Sequence, residues 1–194
     1  MTPEEYTERL LRIESRGWKR LLPVQAPYRW NLRRLRPGRT LEIGCGIGRN
    51  LNHLLGQGVG VDTNPHSVEV CRKRGFEAYT SEEFLASKRA SSGEFDSILL
   101  SHVAEHMKQD QVVECIGQYL PALKPGGRVI LITPQEKGFR SDPTHIQFMD
   151  FQALRVILER MNFEIEHENS FPFPRWFGEW FIYNEFVVVG KKKP

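Results

Sequence analysis

Apolar and polar positions alternate along the chain in short blocks that are typical of strands followed by amphipathic helices. In the clearest block, a strand-like run at 40–43, in which Leu41 and Ile43 are apolar, enters a segment with three glycines. Leu51, Leu54 and Leu55 then recur at helical spacing and form the expected inward stripe. The pattern predicts a buried strand, a glycine-rich turn and a helix in direct succession. We expect the rest of the chain to be organised around this unit.

The same order of strand and helix continues downstream. Asn64 is a good N-cap, Pro65 suits the first helical position, and Gly75 ends the predicted helix. Another helix is predicted around 111–120, and Asp150 is expected to cap one whose inward stripe extends to Met161. Predicted strands cover 58–61, 76–79, 95–101, 129–133, 162–168 and 186–189, and 191–193 is expected to be a solvated lysine tail. A first amphipathic helix is predicted from Tyr6, Leu10, Ile13, Trp18, Leu21 and Leu22.

The glycines of the turn stand at alternate positions, Gly44, Gly46 and Gly48. Such spacing lets the backbone adopt positive φ and lets a ligand approach main-chain N–H groups. A dinucleotide-binding fingerprint would instead require glycine at position 49, where this chain has Arg49. A nicotinamide oxidoreductase is therefore disfavoured, although a glycine turn that merely packs a helix on a strand remains an alternative.

The run Glu42-x-Gly44-x-Gly46-x-Gly48 resembles the first motif of the class I S-adenosylmethionine-dependent methyltransferases. Asp62 stands eighteen residues after Gly44, where an acid at the end of the second strand can accept hydrogen bonds from both ribose hydroxyls. Two later segments also resemble this family, namely Ser101–His106 after a strand and the Leu-Lys-Pro-Gly-Gly turn at 123–127. Together the matching elements cover residues 40–133.

The resemblance implies S-adenosylmethionine as the cofactor and a single α/β domain over 1–194. The expected fold is a three-layer, Rossmann-like, seven-stranded, mostly parallel sheet with helices on both faces and an antiparallel last strand. Residues 1–36 would form a helical lid, 37–133 the cofactor-binding half and 134–194 the acceptor-side half. The implied cofactor contacts are Glu42, Gly44, Cys45, Gly46, Gly48, Asn50, Asp62, Thr63, Ser101, His102 and Val103, with Ser81, Glu82 or Glu83 at the adenine. The two acids could equally be favoured only by a helix N-terminus.

The acceptor side is expected in the polar loop after the fifth strand, because open α/β sheets bind ligands at that edge. His145 is the candidate general base, with Asp142 or Asp150 as its orienter and His106 as a second candidate. A structural histidine in the loop is the alternative. Substrate contacts are expected from Tyr28, Trp30, Arg140, Asp142 and Asn184. The aromatic insert at 171–178 could close over the acceptor, with a surface flap that packs on the sheet edge as the alternative. No metal is expected, because His102 and His106 lack further ligands and Glu105 does not complete an HExxH arrangement.

Composition narrows the functional classes. The chain of 194 residues suits one domain, and no apolar run approaches the length of a membrane span. Three widely spaced cysteines, Cys45, Cys71 and Cys115, indicate reduced thiols and a cytoplasmic protein. Residues 1–39 carry ten Lys or Arg against four Glu, so Arg29, Arg33 and Arg34 could attract an anionic acceptor, although a solvated helix face is the simpler reading.

We therefore expect a monomer or homodimer that methylates a small molecule, most plausibly at a hydroxyl or carboxyl oxygen of a sugar or secondary metabolite. A nucleic-acid or amine N-methyltransferase and a non-catalytic cofactor-binding regulator are the alternatives. Nucleic acid is disfavoured as a partner because no stacking aromatics alternate with the terminal lysines.

Overall fold

The computed structural model describes residues 2–14 and 25–193. Within these ranges the helices and strands alternate as the sequence pattern predicts. The helices are α1 Pro3–Glu14, α2 Ala26–Arg34, α3 Arg49–His53, α4 Pro65–Lys73, α5 Ser81–Ala86, α6 Gln109–Tyr119, α7 Glu136–Phe139 and α8 Phe151–Arg160. The strands are β1 Thr40–Ile43, β2 Gly58–Asp62, β3 Ala78–Thr80, β4 Phe95–Ser101, β5 Leu123–Pro134, β6 Phe163–Phe171 and β7 Glu185–Lys192.

All seven strands form one sheet in the order β3-β2-β1-β4-β5-β7-β6. The first five are parallel, and β7 runs antiparallel between β5 and β6. This confirms the predicted seven-stranded, mostly parallel sheet with an antiparallel last strand. The strand order reverses between β1 and β4, and a crevice at such a switch point is where sheets of this kind bind ligands.

Helices cover both faces of the sheet, which gives the three layers predicted from the resemblance. One face is packed by α5, α6 and α8 through buried side chains that include Phe84, Ile116 and Leu154. The other is packed by α2, α3 and α4 through Leu32, Leu51 and Val68. Because both faces are covered, the central strands β4, β5 and β7 carry buried apolar runs, at 98–100, 129–132 and 186–189.

Several local predictions are confirmed by hydrogen bonds and dihedral angles. Asn64 caps α4 by accepting from the His66 N–H, and Asp150 caps α8 by accepting from the Ala153 N–H. Asn162 has the left-handed conformation expected before β6, with φ of 64°. All three cysteines are free thiols. In the described part of the chain, no helix is long and apolar enough to cross a membrane.

Other local predictions were wrong. Leu55 does not join the inward stripe, because it follows the end of α3 with φ of 53° and its side chain is 70% exposed. β3 begins at Ala78, since Phe76 packs against the core on the face of the sheet that α2, α3 and α4 cover, instead of pairing in the strand. β5 begins at Leu123, whose backbone already pairs with Phe95. The segment 191–192 continues β7 and is not a free tail. The predicted helical positions Trp18, Leu21 and Leu22 lie outside the described residues.

Candidate functional site

The glycine turn between β1 and α3 lies at the carboxyl end of the parallel strands. Gly44, Gly46 and Gly48 all have positive φ, of 73°, 52° and 83°. At Gly48 the conformation and the space both require glycine, because a Cβ there would lie 2.7 Å from the Phe76 ring. The predicted space for a ligand against the main chain is therefore present at Gly44, Gly46 and Gly48, and we call it the cradle. Its shape depends on the absence of side chains at these positions.

Asp62, the last residue of β2, holds this turn in place. One carboxylate oxygen accepts from the Gly46 N–H at 2.8 Å, and the other accepts from the Asn64 N–H at 2.8 Å. Burial raises the pKa of Asp62, while these backbone hydrogen bonds act in the opposite direction. Because an ionised carboxylate has about four lone-pair sites, Asp62 can still accept further hydrogen bonds from a ligand.

Glu42 lies beneath the turn on β1 and is buried. Its Oε1 accepts from Asn50 Nδ2 at 2.8 Å, whereas Oε2 is buried and has no hydrogen-bond partner among the described residues. Burial is the main reason that the pKa of Glu42 is raised to about 8. A buried carboxyl oxygen without a partner is costly, so this atom is a candidate contact for a cationic or hydrogen-bonding group.

The loop after β4 packs directly against the glycine turn. A Cβ added to Gly44 would lie 2.4 Å from Val103 Cγ2, so the two segments are in close contact. Ser101 is half-buried at the end of β4, and the next residue, His102, has a left-handed φ of 58°. This unusual conformation accompanies a contact between the His102 side chain and Glu185 at the start of β7.

The His102 imidazole lies between two carboxylates. Its Nε2 is 2.8 Å from Glu185 Oε1, and its Nδ1 is 3.4 Å from Glu105 Oε1. Desolvation alone would lower the pKa of His102, but the two carboxylates outweigh it and raise the pKa to about 10. Both ring nitrogens of His102 thus face carboxylates, so neither is free to take a proton from an acceptor.

Two further imidazoles lie next to Glu105. The His106 and His145 ring centroids are 4.9 Å apart, and His145 Nε2 is 4.0 Å from Glu105 Oε1. The backbone brings them together, because the carbonyl of Glu105 accepts from the N–H groups of Ile146 and Gln147 at 2.8 and 3.2 Å. The loop after β5 is thus attached to the loop after β4, and the two predicted catalytic candidates share one cluster.

Helix α1 covers this edge of the sheet. The Thr7 hydroxyl lies 2.9 Å from the Ser67 hydroxyl on α4, and Arg9 forms a 2.8 Å ion pair with Asp142 in the loop after β5. Between these anchors, Leu10 Cδ1 lies 3.3 Å from where a Cβ on Gly46 would stand. The segment over the glycine turn is therefore α1, whereas the sequence pointed to residues 28–31 of α2 as the covering part.

The predicted substrate contacts are distributed unevenly. Tyr28 reaches the ligand-facing edge, where its hydroxyl donates to the Tyr183 carbonyl at 2.9 Å and burial raises its pKa. Trp30 is 56% exposed and stacks on Phe171, on the face of the sheet that α2 covers. Arg140 is exposed and forms an ion pair with Glu179 at 2.8 Å.

Two other predicted contacts already have partners within the protein. Asp142 binds Thr144 and Arg9; burial opposes ionisation, but these hydrogen bonds lower the pKa of Asp142 to about 2. Asn184 is fully buried, and its amide binds Gln135, Ser170 and the Phe173 backbone. The predicted substrate contact at Asn184 is therefore replaced by a structural role, since its side chain has no exposed surface.

The remaining predicted cofactor contacts also differ in what they can offer. Cys45 is buried in the core against Gly60, so only its backbone faces the turn. Thr63 is exposed beside Asp62. Glu83 completes the capping box of α5 with Thr80 and pairs with Arg72 at 2.5 Å, which matches the structural alternative for this residue. Glu82 is exposed at the same helix start.

Arg33 and Arg34, two of the basic residues in 1–39, do not lie at the ligand-facing edge. The Arg33 side chain donates to the His53 carbonyl, and Arg34 lies over the Trp30 ring with its guanidinium carbon 5.0 Å from the centroid. Both stand near the end of α2, which leads into the start of β1 and hence lies at the opposite edge of the sheet. This geometry favours the solvated-face interpretation for these two arginines.

Three residues at the site were not identified from the sequence. Glu105 was considered only as part of the post-strand segment 101–106 and of an HExxH arrangement, without a role of its own, and Arg9 and Glu185 were not singled out. No local pattern marks an acid that reaches the site from a distant strand. Arg9 and Glu185 act across 133 and 83 residues of sequence, to Asp142 and His102 respectively.

Comparisons with known proteins agree with this geometry. Residues 10–168 match the sequence profile of a family described as a methyltransferase domain. A curated relative, ribosomal protein L11 methyltransferase from Ralstonia pickettii, is 32% identical over 107 residues, which is 53% of this chain and 34% of that protein. The chain therefore spans about a third of the length of this relative.

Solved structures share the fold at low sequence identity. A SAM-dependent methyltransferase from Archaeoglobus fulgidus superposes with a TM-score of 0.63 at 23% identity, covering 85% of this chain and 93% of that one. A putative methyltransferase solved in complex with the Trm112 activator of Haloferax volcanii gives 0.72 at 14% identity, covering 99% and 98%.

Proposed function

This chain belongs to the class I S-adenosylmethionine-dependent methyltransferase family, and we propose that it transfers the cofactor's methyl group to an oxygen of a small molecule. The observation that carries the oxygen assignment is the pair of imidazoles, His106 and His145, beside the loop that touches the glycine turn. A hydroxyl must lose its proton near the transition state of methyl transfer, whereas a neutral amine can lose it afterwards.

The residues of the glycine turn fit the cofactor. Positive-φ glycines leave room for a ligand against the backbone, and Asp62 retains lone pairs for ribose hydroxyls. Glu42 Oε2, which is buried without a partner, suits the ammonium of the methionine part. When bound, the cofactor supplies an electrophilic methyl group on a sulfonium. The protein then has to align an acceptor oxygen in line with that methyl.

The loops after β4 and β5 supply the acceptor side. His106 Nδ1 lies 3.1 Å from the Thr144 carbonyl, and His145 Nδ1 lies 2.7 Å from the Phe139 carbonyl. A carbonyl only accepts, so each Nδ1 carries the hydrogen and each Nε2 presents a lone pair. These lone pairs are suited to activating an acceptor hydroxyl.

Three arginines at this edge of the sheet form ion pairs with acidic side chains of the protein itself. Arg9, Arg140 and Arg175 pair with Asp142, Glu179 and Glu136. An arginine that is already in an ion pair attracts an anionic acceptor less strongly than an unpaired arginine would. This supports a hydroxyl-bearing acceptor, held mainly by shape and hydrogen bonds, over a strongly anionic one.

The test is transfer of labelled methyl from S-adenosylmethionine to a panel of hydroxyl, carboxyl and amine acceptors, with the product linkage assigned by NMR. We expect an O-methyl product. Exclusive transfer to amines, or to a ribosomal protein as the name of the Ralstonia relative suggests, would contradict the proposal.

The same assay tests the acceptor side with matched histidine variants. His145→Ala is expected to lower turnover about 10²–10⁴-fold, the usual contribution of a group that assists proton removal, with little effect on cofactor affinity. His167→Ala is the control, because His167 is exposed on β6. Equal turnover in the two variants would remove His145 from the reaction.

A further inference from the structure

Three potential metal-ligand side chains converge at the cluster after β4. Glu105, His106 and His145 each place one donor atom within 4.8 Å of the other two. Metal–ligand bonds of about 2.0–2.2 Å imply donor separations of roughly 3–4 Å, so shifts of the order of 1 Å would close this set around an ion. The sequence alone did not predict this, because His145 lies 39 residues beyond His106 and shares no motif with it.

The hydrogen bonds of both imidazoles orient them as ligands. Each Nδ1 hydrogen is donated to a backbone carbonyl, of Thr144 for His106 and of Phe139 for His145. Metal-binding histidines commonly have one ring nitrogen fixed in this way, which sets the tautomer and the ring orientation. The Nε2 lone pair of His145 is thereby available beside the carboxylate, since His145 Nε2 is 4.0 Å from Glu105 Oε1.

Glu105 provides a second, independent observation. Its side chain is fully buried, and neither carboxylate oxygen has a direct hydrogen-bond partner among residues 2–14 and 25–193. The nearest charged group, His102 Nδ1, lies 3.4 Å from Glu105 Oε1, while the other ring nitrogen of His102 lies 2.8 Å from Glu185 Oε1. One imidazole carries at most one positive charge and cannot balance both carboxylates, so an additional cation beside Glu105 would complete the charge balance.

Hydrogen bonds and an ion pair fix the segments that carry these three residues. The N–H groups of Ile146 and Gln147 bind the Glu105 carbonyl, and the His145 N–H binds the Asp142 carbonyl at 3.2 Å. Asp142 is in turn paired with Arg9 on α1. The donors are therefore held by backbone hydrogen bonds between the loops after β4 and β5 and by a side-chain ion pair from α1, as a preorganised site requires.

We propose that Glu105, His106 and His145 bind a divalent transition-metal ion such as Zn²⁺, Mn²⁺ or Fe²⁺. Two imidazoles and one carboxylate suit such ions better than Mg²⁺ or Ca²⁺, which prefer oxygen ligands. Three protein ligands leave coordination positions open, and an acceptor hydroxyl bound there would lose its proton more readily, to solvent and not to the imidazoles, because an imidazole lone pair that binds the metal no longer acts as a base. This catalytic consequence rests on the proposed function, whereas metal binding itself does not.

Metal binding can be measured without any acceptor. The full-length protein is stripped with chelator and titrated with Zn²⁺, Co²⁺ and Mg²⁺ by calorimetry, with the visible spectrum of the Co²⁺ form as a second readout. We expect one Zn²⁺ per chain and a Co²⁺ band of a low-coordinate site. Glu105→Gln, His106→Ala and His145→Ala should each weaken Zn²⁺ binding at least about 100-fold, given that even outer-shell changes cost 10–100-fold.

The controls separate loss of ligands from loss of fold. His167→Ala should bind Zn²⁺ like the native protein, and circular dichroism together with S-adenosylmethionine binding should show that the ligand variants remain folded. Zn²⁺ should raise the melting temperature of the native protein but not of the ligand variants. Unchanged Zn²⁺ affinity in the folded ligand variants, less than one ion per chain, or tighter binding of Mg²⁺ than of Zn²⁺ would overturn the inference.

The metal inference and the proposed function fail in different ways. Full O-methyl transfer by chelator-treated protein that binds no Zn²⁺ would refute the metal site and leave the function intact. Stoichiometric Zn²⁺ binding that depends on the three ligands, without O-methyl transfer to any acceptor, would support the site and contradict the function.

Discussion

Replacing Glu42 with glutamine should make the protein more stable, by an amount that grows with pH. Glu42 is buried on β1 with one carboxyl oxygen unpaired, and its pKa is raised to about 8. Its folded form therefore favours the neutral acid, while the unfolded chain ionises near the usual value of 4.5. Stability linked to Glu42 is complete below pH 4.5 and is lost as pH rises towards 8.

The size of the effect follows from this difference in pKa. Each pKa unit corresponds to about 1.36 kcal/mol, so ionisation in the unfolded chain costs the fold about 3 kcal/mol at pH 7 and about 4 kcal/mol at pH 8. At pH 5 the cost is below about 1 kcal/mol. Glutamine keeps the shape and the acceptor oxygen for Asn50 but cannot ionise, so the variant escapes this cost.

The assay is urea unfolding of the native protein and of Glu42→Gln between pH 5 and pH 8. The free energy of unfolding of the variant should exceed that of the native protein by an amount that increases by about 3 kcal/mol over this range. Glu82→Gln, at an exposed position, is the control and should show no such trend. A difference between the Glu42 variant and the native protein that does not change with pH would refute this reasoning.

Three further predictions concern the cradle and its cover. Asp62→Ala should weaken S-adenosylmethionine binding by ~1–3 kcal/mol in calorimetry, because it removes hydrogen bonds to a charged acceptor; unchanged affinity would discredit the assignment. Gly48→Ala should lower the free energy of unfolding by at least roughly 1–2 kcal/mol, since it combines a left-handed φ with a contact on Phe76, and equal stability would argue against this turn geometry. Arg9→Ala should raise the pKa of Asp142 from about 2 towards its usual range in an NMR titration. The free energy of unfolding should change by less than about 1 kcal/mol, because the ion pair is partly exposed. An unmoved pKa would show that the pair does not form in solution.

The sequence was sufficient to locate most strands along the chain and to identify the glycine turn, because those features depend on local signals. The mostly parallel sheet with its antiparallel last strand was instead implied by the family resemblance. Alternating apolar runs, the caps at Asn64 and Asp150, and glycines at alternate positions each specify backbone conformation over a few residues. The sequence was less informative about where an apolar helical stripe ends. Leu55 looked like part of a helical stripe, but its left-handed φ places it outside the core.

The acceptor side depends on contacts that no local pattern encodes. Glu185 meets His102 only because β7 inserts antiparallel beside β5, and Arg9 meets Asp142 only because α1 lies over the sheet edge. Asn184 illustrates the opposite error, since a polar residue near the expected site is fully used by the protein's own backbone and side chains. Residue type alone could not distinguish these cases, because burial and partners arise from tertiary structure.

The most direct measurement of the central claim is a crystal structure of this protein with S-adenosylhomocysteine. We predict density for the nucleoside along the turn from Gly44 to Asn50, with the ribose hydroxyls within hydrogen-bond distance of Asp62. Density located elsewhere, or a turn still occupied by Leu10 at saturating ligand, would contradict the claim that this turn binds the cofactor.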